Sequence, residues 1–338
     1  MKLSKKFVND YTPLDKIDIK DLADGMLKLG NEYESITKLA SGDKLTIGEV
    51  TSCEKIDGSD HLKTCKVNIG SEVLNIVCGA HNVKKGIKVI VALDGCTLPE
   101  GTIKKSVVMG HESNGMICAL FELGIDKKFL KEEDINGIHI LDDSAKVGED
   151  PLKFLELDDE IIDFELTANR ADEFSMLGLA YEASVITGEK VTLPDLKYKE
   201  EKKDIKDLLK LEVDTKDVFT FLVKRVNNVE IKESPTFIKN RLIACGIRSI
   251  NNVVDISNYV MLETGQPLHF YDANKLGNVI ASRNAKNGEK LVTLDKEERM
   301  LSEEDIVISF TLFTKNVYTF GVLTFRVKLS LTSSFIVL

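Results

Sequence analysis

The 338-residue chain has no tryptophan, six prolines, five histidines and no acidic residue after Asp305. Its five histidines (61, 81, 111, 139 and 269) stand singly. Its six cysteines (53, 65, 78, 96, 118 and 245) form no C-x-x-C pair and no zinc-finger spacing. A Cys/His metal centre is therefore not expected, and the cysteines read as reduced, buried thiols of a cytosolic protein. There is no G-x-x-x-x-G-K-[ST], no G-x-G-x-x-G opening a helix and no G-x-S-x-G. Machinery for activating ATP or for serine hydrolysis is thus missing from the sequence pattern. No apolar run approaches about 18 residues, and "MKLSKKFVNDYTPLD" lacks the apolar core of a leader. The expectation is a soluble, cytoplasmic protein with no membrane partner. A net charge of −10 argues against a bulk polyanion binder, although a local basic face can still bind nucleic acid.

The length predicts two or three domains. The first 40 residues read as helical: Asp18 can cap, Ile19, Leu22, Met26 and Leu29 recur at helical spacing, and Gly30 follows as a C-terminal stop. From about Leu45 the period becomes two. Cys65, Val67 and Ile69 share one face, as do Leu74, Ile76 and Cys78 across the Gly70-Ser71 turn, and then Ile87, Val89 and Val91. Short strands with glycine turns predict a small barrel over 42–150. Helical period returns after "NRADEF", with Asp172 as a cap and Gly188 as terminator. A charged linker, "DLKYKEEKKDIKD", precedes a further α+β segment. That segment contains a helix starting at Ser234-Pro235, a helix in "NNVVDISNYVMLE" closed by Gly265 and Pro267, and a hairpin in "EKLVTLDKEERML". From Phe310 the composition changes: the last 29 residues hold five of the fifteen phenylalanines and no carboxylate side chain. This reads as a non-native tail or as a hydrophobic terminal hairpin.

Three sets of residues could carry function. Between Lys63 and Lys105 seven lysines (63, 66, 84, 85, 88, 104 and 105) face three acids (Glu72, Asp94 and Glu100), a local basic excess within an acidic chain. Lysines on a small barrel suit phosphate contact, or simply keep exposed strand edges soluble. The loops "GAHNVKKG" and "GHESNGMIC" add His81, Asn82, Ser113 and Asn114. In "ELTANRADEF", Asn169, Arg170 and Asp172 suit a cap and an ion pair. "GQPLHFYD" holds His269, and a lone histidine most often satisfies a local hydrogen bond.

The stretch "IVCGAHNVKKGIKVIVALDGCTLPEGTIKKSVVMGHESNGMICALFELGI" resembles the tRNA-binding OB-fold module of the β subunit of bacterial phenylalanyl-tRNA synthetase. "MKLSKKFVNDYTPLD", "ELTANRADEFSMLGLAYEASVITG" and "INNVVDISNYVMLETGQPLHFYDANKL" resemble that subunit's N-terminus, the segment returning from the OB insertion, and its editing domain, in the family's order. The resemblance implies an α+β multidomain chain. It would comprise an N-terminal helical segment (1–40), a tRNA-binding OB-fold β-barrel domain (41–150), a return segment packing with the N-terminus (151–197), a partial α+β editing domain (198–309) and an atypical tail (310–338). It further implies tRNA(Phe) as partner, an α subunit in an α2β2 enzyme, and hydrolysis of tyrosine misattached to that tRNA. ATP and Mg2+ would belong to the complete enzyme, with none bound by this fragment. The implied tRNA-binding set is Lys63, Lys66, Asn82, Lys84, Lys85, Lys104, Lys105, Ser113 and Met116. The implied editing residues are His269, Ser257 and Asn258. After "EEDIVIS" the family continues into a G-x-x-G-G stretch and a glutamate, whereas this chain runs into "FTLFTKNVYTF"; the expectation is a truncated subunit. A free OB-fold tRNA-binding protein and an inactive, degenerate gene product stay open as alternatives.

Overall fold

The computed structural model describes the chain apart from residues 200–204, 208, 273–277, 293–296, 312–316, 322–335 and 338. Two compact units are formed, one from Met1–Leu193 with Glu233–Gly265, the other from Pro194–Lys232 with Gln266–Leu338.

The first unit begins with β1 (Lys2–Ser4), α1 (Lys5–Asn9), α2 (Ile19–Lys28) and β2 (Tyr33–Lys38). Asp18 caps α2 by accepting the Lys20 N–H at 2.8 Å, the helix buries Ile19, Leu22, Ala23 and Met26, and Gly30 beyond it takes φ 98°. The rest of 1–40 departs from the helical expectation, because two segments are strands. Both pair antiparallel with β13 (Glu160–Phe164), giving the order β1-β13-β2 with Leu3 and Ile36 each opposite Ile162. Partners more than a hundred residues away decide these segments, overriding local propensity.

Between β2 and β13 the chain builds a separate sheet from β3 (Leu45–Lys55), β4 (Lys63–Asn68), β5 (Val73–Cys78) and β6 (Lys88–Leu93). A small β7 (Thr97–Leu98) and β8 (Gly101–Thr102) pair follows, then the hairpin β9 (Ser106–Val108) and β10 (His111–Ser113), then β11 (Gly115–Ile117) and β12 (Ile140–Leu141). The order is β11-β6-β3-β4-β5, with β12 also on β6. β3 is long enough to serve two neighbours: Leu45–Glu49 pairs with β6 and Glu49–Lys55 with β4, around a register shift between Val50 and Ser52. Such a bulge bends a strand. The period-two faces meet as expected, since Cys65, Val67, Ile69, Leu74, Ile76, Cys78, Ile87, Val89 and Val91 share one core. β6 is buried on both sides: Ile90 and Ala92 enter a second core with Leu120, Leu123, Leu157 and Ile161. Two short helices, α3 (Glu132–Asn136) and α4 (Pro151–Phe154), lie within the returning chain.

Beyond β13 come α5 (Met176–Thr187), α6 (Thr236–Ala244) and α7 (Asn252–Thr264). The cap of α5 is Ser175, whose hydroxyl accepts the Gly178 N–H at 3.0 Å, and not Asp172 as the sequence suggests. Asp172 sits in a preceding 3-10 turn, Ala171–Glu173, whose carbonyl comes so close to Gly178 that a β-carbon there would collide. Asn251 caps α7 and Gly265, at φ 76°, ends it. The sequence reading starts α6 at Ser234-Pro235, and Pro235 stands at the N-cap of α6, while the Ser234 hydroxyl donates to Asp255 at 2.5 Å. The fully buried Asp255 carboxylate also accepts from the Ser249 hydroxyl and the Ile250 N–H, so it holds the α6–α7 corner. Phe7, Leu22, Met26, Ile162, Met176, Leu179, Leu242 and Leu262 form the helical core.

In the second unit, β14 (Lys210–Asp214) pairs parallel with β16 (Val279–Asn284), and β16, β19 (Ile306–Thr311) and β20 (Val317–Gly321) follow antiparallel. β15 (Lys224–Arg225) pairs with β21 (Ile336–Val337). β17 (Lys290–Val292) and β18 (Glu298–Met300) pair antiparallel, as the pattern of "EKLVTLDKEERML" predicts. Ile280 and Ile308 form a small core with Leu209, Phe221, Val223 and Tyr271 against it. Parts of the acid-free tail lie in β19, β20 and β21; most of it falls outside the described residues.

Candidate functional site

The inserted sheet sorts its lysines into two groups. Lys66, on the face of β4 opposite the buried Cys65 and Val67, is exposed. Lys84 and Lys85 are exposed in the loop between β5 and β6, and Lys104 and Lys105 on the approach to β9. None of these five ammonium groups makes a salt bridge among the described residues. Lys63 and Lys88 are instead engaged within the fold. Lys63 Nζ donates to the Val83 carbonyl at 2.8 Å, and Lys88 Nζ to the carbonyls of Asp143 and Ala145 at 2.5 and 2.6 Å.

Three other residues of the expected tRNA-binding set also work inside the fold. The Asn82 side chain donates to the Ile138 carbonyl at 2.8 Å and accepts the Ile138 N–H at 3.1 Å. Ser113 is buried; its hydroxyl accepts the Val77 N–H at 3.1 Å and donates to the Gly115 carbonyl at 3.2 Å. Met116 is half-buried against the core that contains Ile90. The solvent-facing basic set is thus Lys66, Lys84, Lys85, Lys104 and Lys105. The hairpin β9–β10 adds a feature the sequence reading passed over: Val107 and Met109 are exposed, 69% and 53%, at a tip where Met109 has φ 48°. The dipeptide Met109-Gly110 between two short strands was the available signal.

The "NRADEF" cluster is an ion-pair hub. Arg170 Nη2 meets Asp172 at 3.0 Å, Glu182 at 2.6 Å and the fully buried Glu173, while Nη1 donates to Asn31 Oδ1 at 3.2 Å. Among the described residues this is the one carboxylate trio whose oxygens could converge on a cation. The guanidinium already stands among them, so the trio does not fit the Mg2+ and ATP implied for the complete enzyme, and the hydrolysis proposed below for this chain uses neither. Burial pushes the Glu173 pKa up, and Arg170 opposes that shift. A carboxyl with a raised folded-state pKa favours folding while protonated, and that contribution disappears as pH rises through the folded value. Arg170→Met should therefore cost roughly 3–5 kcal/mol at neutral pH, and less at a mildly acidic pH, as Glu173 takes up a proton. Urea unfolding at the two pH values measures this; an equal loss at both would show that Glu173 is not the charge left behind.

His269 lies in the second unit, half-buried between the buried Leu268 and the intermediate Phe270, with Tyr271 packed on the small core. Burial lowers the His269 pKa from its ordinary value, which favours the neutral imidazole. Ser257 and Asn258 lie in the first unit as neighbours on α7, both half-buried. Asp255, Tyr259 and Leu262, one helical turn apart, fix the face of α7 that packs inward. Tyr259 stacks on Phe7 at 4.5 Å, and its hydroxyl accepts from Arg241 at 2.6 Å.

The family described as "Putative tRNA binding domain" matches residues 45–150, and the B3/4 domain matches residues 218–312. The phenylalanine–tRNA ligase beta subunit of Bacillus cereus is 43% identical over 314 residues, covering 91% of this chain and 39% of the relative. That of Geobacillus kaustophilus is 42% identical over 314 residues, with the same coverages. That of Streptococcus mutans is 44% identical over 327 residues, covering 96% of this chain and 40% of the relative. The last match leaves too few residues unaligned to exclude the whole of 310–338. The chain thus spans about two fifths of the length of the curated relatives it matches. With 43% identity over a match that covers 91% of this chain, the chain belongs to the phenylalanine–tRNA ligase beta-subunit family.

Proposed function

We propose that the chain serves a phenylalanine–tRNA ligase as its beta-subunit portion, binding tRNA(Phe) through the module at 41–150 and removing tyrosine misattached to that tRNA. An α subunit would supply the ATP-dependent attachment of phenylalanine. The observation that carries the tRNA reading is the charge separation within the module. Five exposed, unbridged lysines stand on a chain of net charge −10, the local footprint that phosphate binding requires. The OB-type reading of this module is supported by a contact between the sheet's edges, where the Asn114 N–H donates to the Asn75 carbonyl at 2.8 Å, joining the β10–β11 turn to β5. Similarity over 91% of the chain, including the B3/4 segment, favours the subunit reading over a free tRNA-binding module.

For editing, the supporting observation is the burial of His269. Hydrolysis of an aminoacyl ester needs a water at the carbonyl carbon and a group to accept its proton. A histidine whose neutral form is favoured by burial can accept that proton or position the water. Discrimination would come from polar groups satisfied by the tyrosine hydroxyl and left unpaired by phenylalanine.

Two measurements test the proposal. Lys84→Glu with Lys85→Glu should weaken tRNA binding about tenfold or more and flatten its salt dependence, because each lost phosphate contact removes about one counterion from the slope. Unchanged affinity would reject the lysine face. The chain should deacylate Tyr-tRNA(Phe) faster than Phe-tRNA(Phe), with a rate that rises with pH around a midpoint below the ordinary histidine value of about 6.5. His269→Ala should remove the difference between the two substrates; equal rates for wild type and variant would end the editing claim.

A further inference from the structure

The strongest unused feature lies in the inserted sheet, where two thiols face each other. Cys53 on β3 is directly opposite Cys65 on β4, and the Cys65 S–H donates to Cys53 Sγ at 3.5 Å. The Ile56 N–H donates to the Leu62 carbonyl at 3.0 Å further along the same antiparallel pair. Hydrogen-bonded and non-hydrogen-bonded pairs alternate along such a ladder. Counting back from Ile56–Leu62 makes Cys53–Cys65 a non-hydrogen-bonded pair, the closer kind, with Cα atoms typically about 4.5 Å apart. That spacing falls within the range of about 4.4–6.8 Å that a disulfide spans.

The two sulfurs also differ in access. Cys53 is half-buried, whereas Cys65 is fully buried and burial pushes its pKa up. The remaining thiols do not share this arrangement. Cys96 donates to the Asp43 carbonyl at 2.6 Å, Cys118 to that of Met116 at 3.7 Å and Cys245 to that of Lys2 at 3.9 Å. Cys78 is opposite Lys63.

We propose that Cys53 and Cys65 are a reversible dithiol–disulfide site, oxidised by a small-molecule disulfide of the glutathione class. The Cys53 thiolate attacks one sulfur of the oxidant, whose S–S bond breaks and releases one thiol, leaving the other half bonded to Cys53. Cys65 then loses its proton and attacks the Cys53 sulfur, expelling the second small thiol as the Cys53–Cys65 bond forms. The protein gives up two electrons and two protons, and the oxidant becomes two thiols. The site also touches the basic loop. The Val83 carbonyl accepts from Lys63 Nζ at 2.8 Å and from Cys53 Sγ at 3.7 Å, and the next two residues are Lys84 and Lys85. Oxidation removes the S–H contact and leaves the lysine contact.

The test is to equilibrate the whole chain in mixtures of reduced and oxidised glutathione, quench with acid, alkylate free thiols and map the peptides by mass. The expected product is a Cys53–Cys65 disulfide that reverts on reduction, with Cys78, Cys96, Cys118 and Cys245 alkylated. Cys65→Ala, checked for fold by circular dichroism, should stall with glutathione on Cys53. The inference is overturned if wild-type Cys53 keeps glutathione that Cys65 does not displace, if Cys53 pairs with Cys78, or if Cys53 stays free throughout. The wild-type map decides the matter even if the variant fails to fold.

Discussion

The first unit depends on one register: Glu160–Phe164 lying between Lys2–Ser4 and Tyr33–Lys38. Lys38 and Glu160 are partners in that ladder, so the chain leaves β2 and re-enters β13 at neighbouring points. A whole sheet, β3 to β12, can therefore be inserted without moving the strands that flank it. Asp159 reinforces the junction. Its carboxylate accepts from the Ser4 hydroxyl at 2.5 Å, from the Lys6 N–H at 3.0 Å and from the Glu160 N–H at 2.9 Å. The same carboxylate thereby ties the N-cap and first turn of α1 to the start of β13, and α1 in turn presents Phe7 to Tyr259 and Arg241.

Within the insertion, burial decides which polar groups remain available. The amide of Asn82 is paired at both ends with Ile138 across 56 residues, and Ser113 is buried between the backbones of β5 and β11. These residues hold loops in place. The ammonium groups of Lys66, Lys84, Lys85, Lys104 and Lys105 are left to meet a polyanion. The proposed polyanion-binding surface of this acidic chain would thus arise by segregation and not by composition. The Arg170 hub does a different job: it compensates a carboxylate that the fold has removed from water.

Much of this was legible in the sequence where the cause is local. The Asp18 cap, the Gly30 and Gly265 stops, and the alternating faces around Cys65, Ile76 and Val89 need only neighbours in the chain. What was not legible depends on distant partners. Residues 2–4 and 33–38 become strands because β13 lies between them, and Ser175 displaces Asp172 as cap because Arg170 draws Asp172 into a turn. The Arg170–Asn31 contact spans 139 residues and has no local signature. The opposition of Cys53 and Cys65 follows from a register set by the shift near Thr51. His269, Ser257 and Asn258 were found through family resemblance; the structure adds the environment of each, above all the burial that lowers the His269 pKa.

The central claim is that the insertion between Lys38 and Glu160 carries the tRNA while the flanking ladder carries the fold. Replacing residues 42–156 by a short glycine–serine linker, and measuring tRNA(Phe) binding beside the intact chain at one salt concentration, tests it directly. The account predicts a folded shortened chain whose affinity for tRNA has collapsed. Affinity equal to that of the intact chain would contradict it.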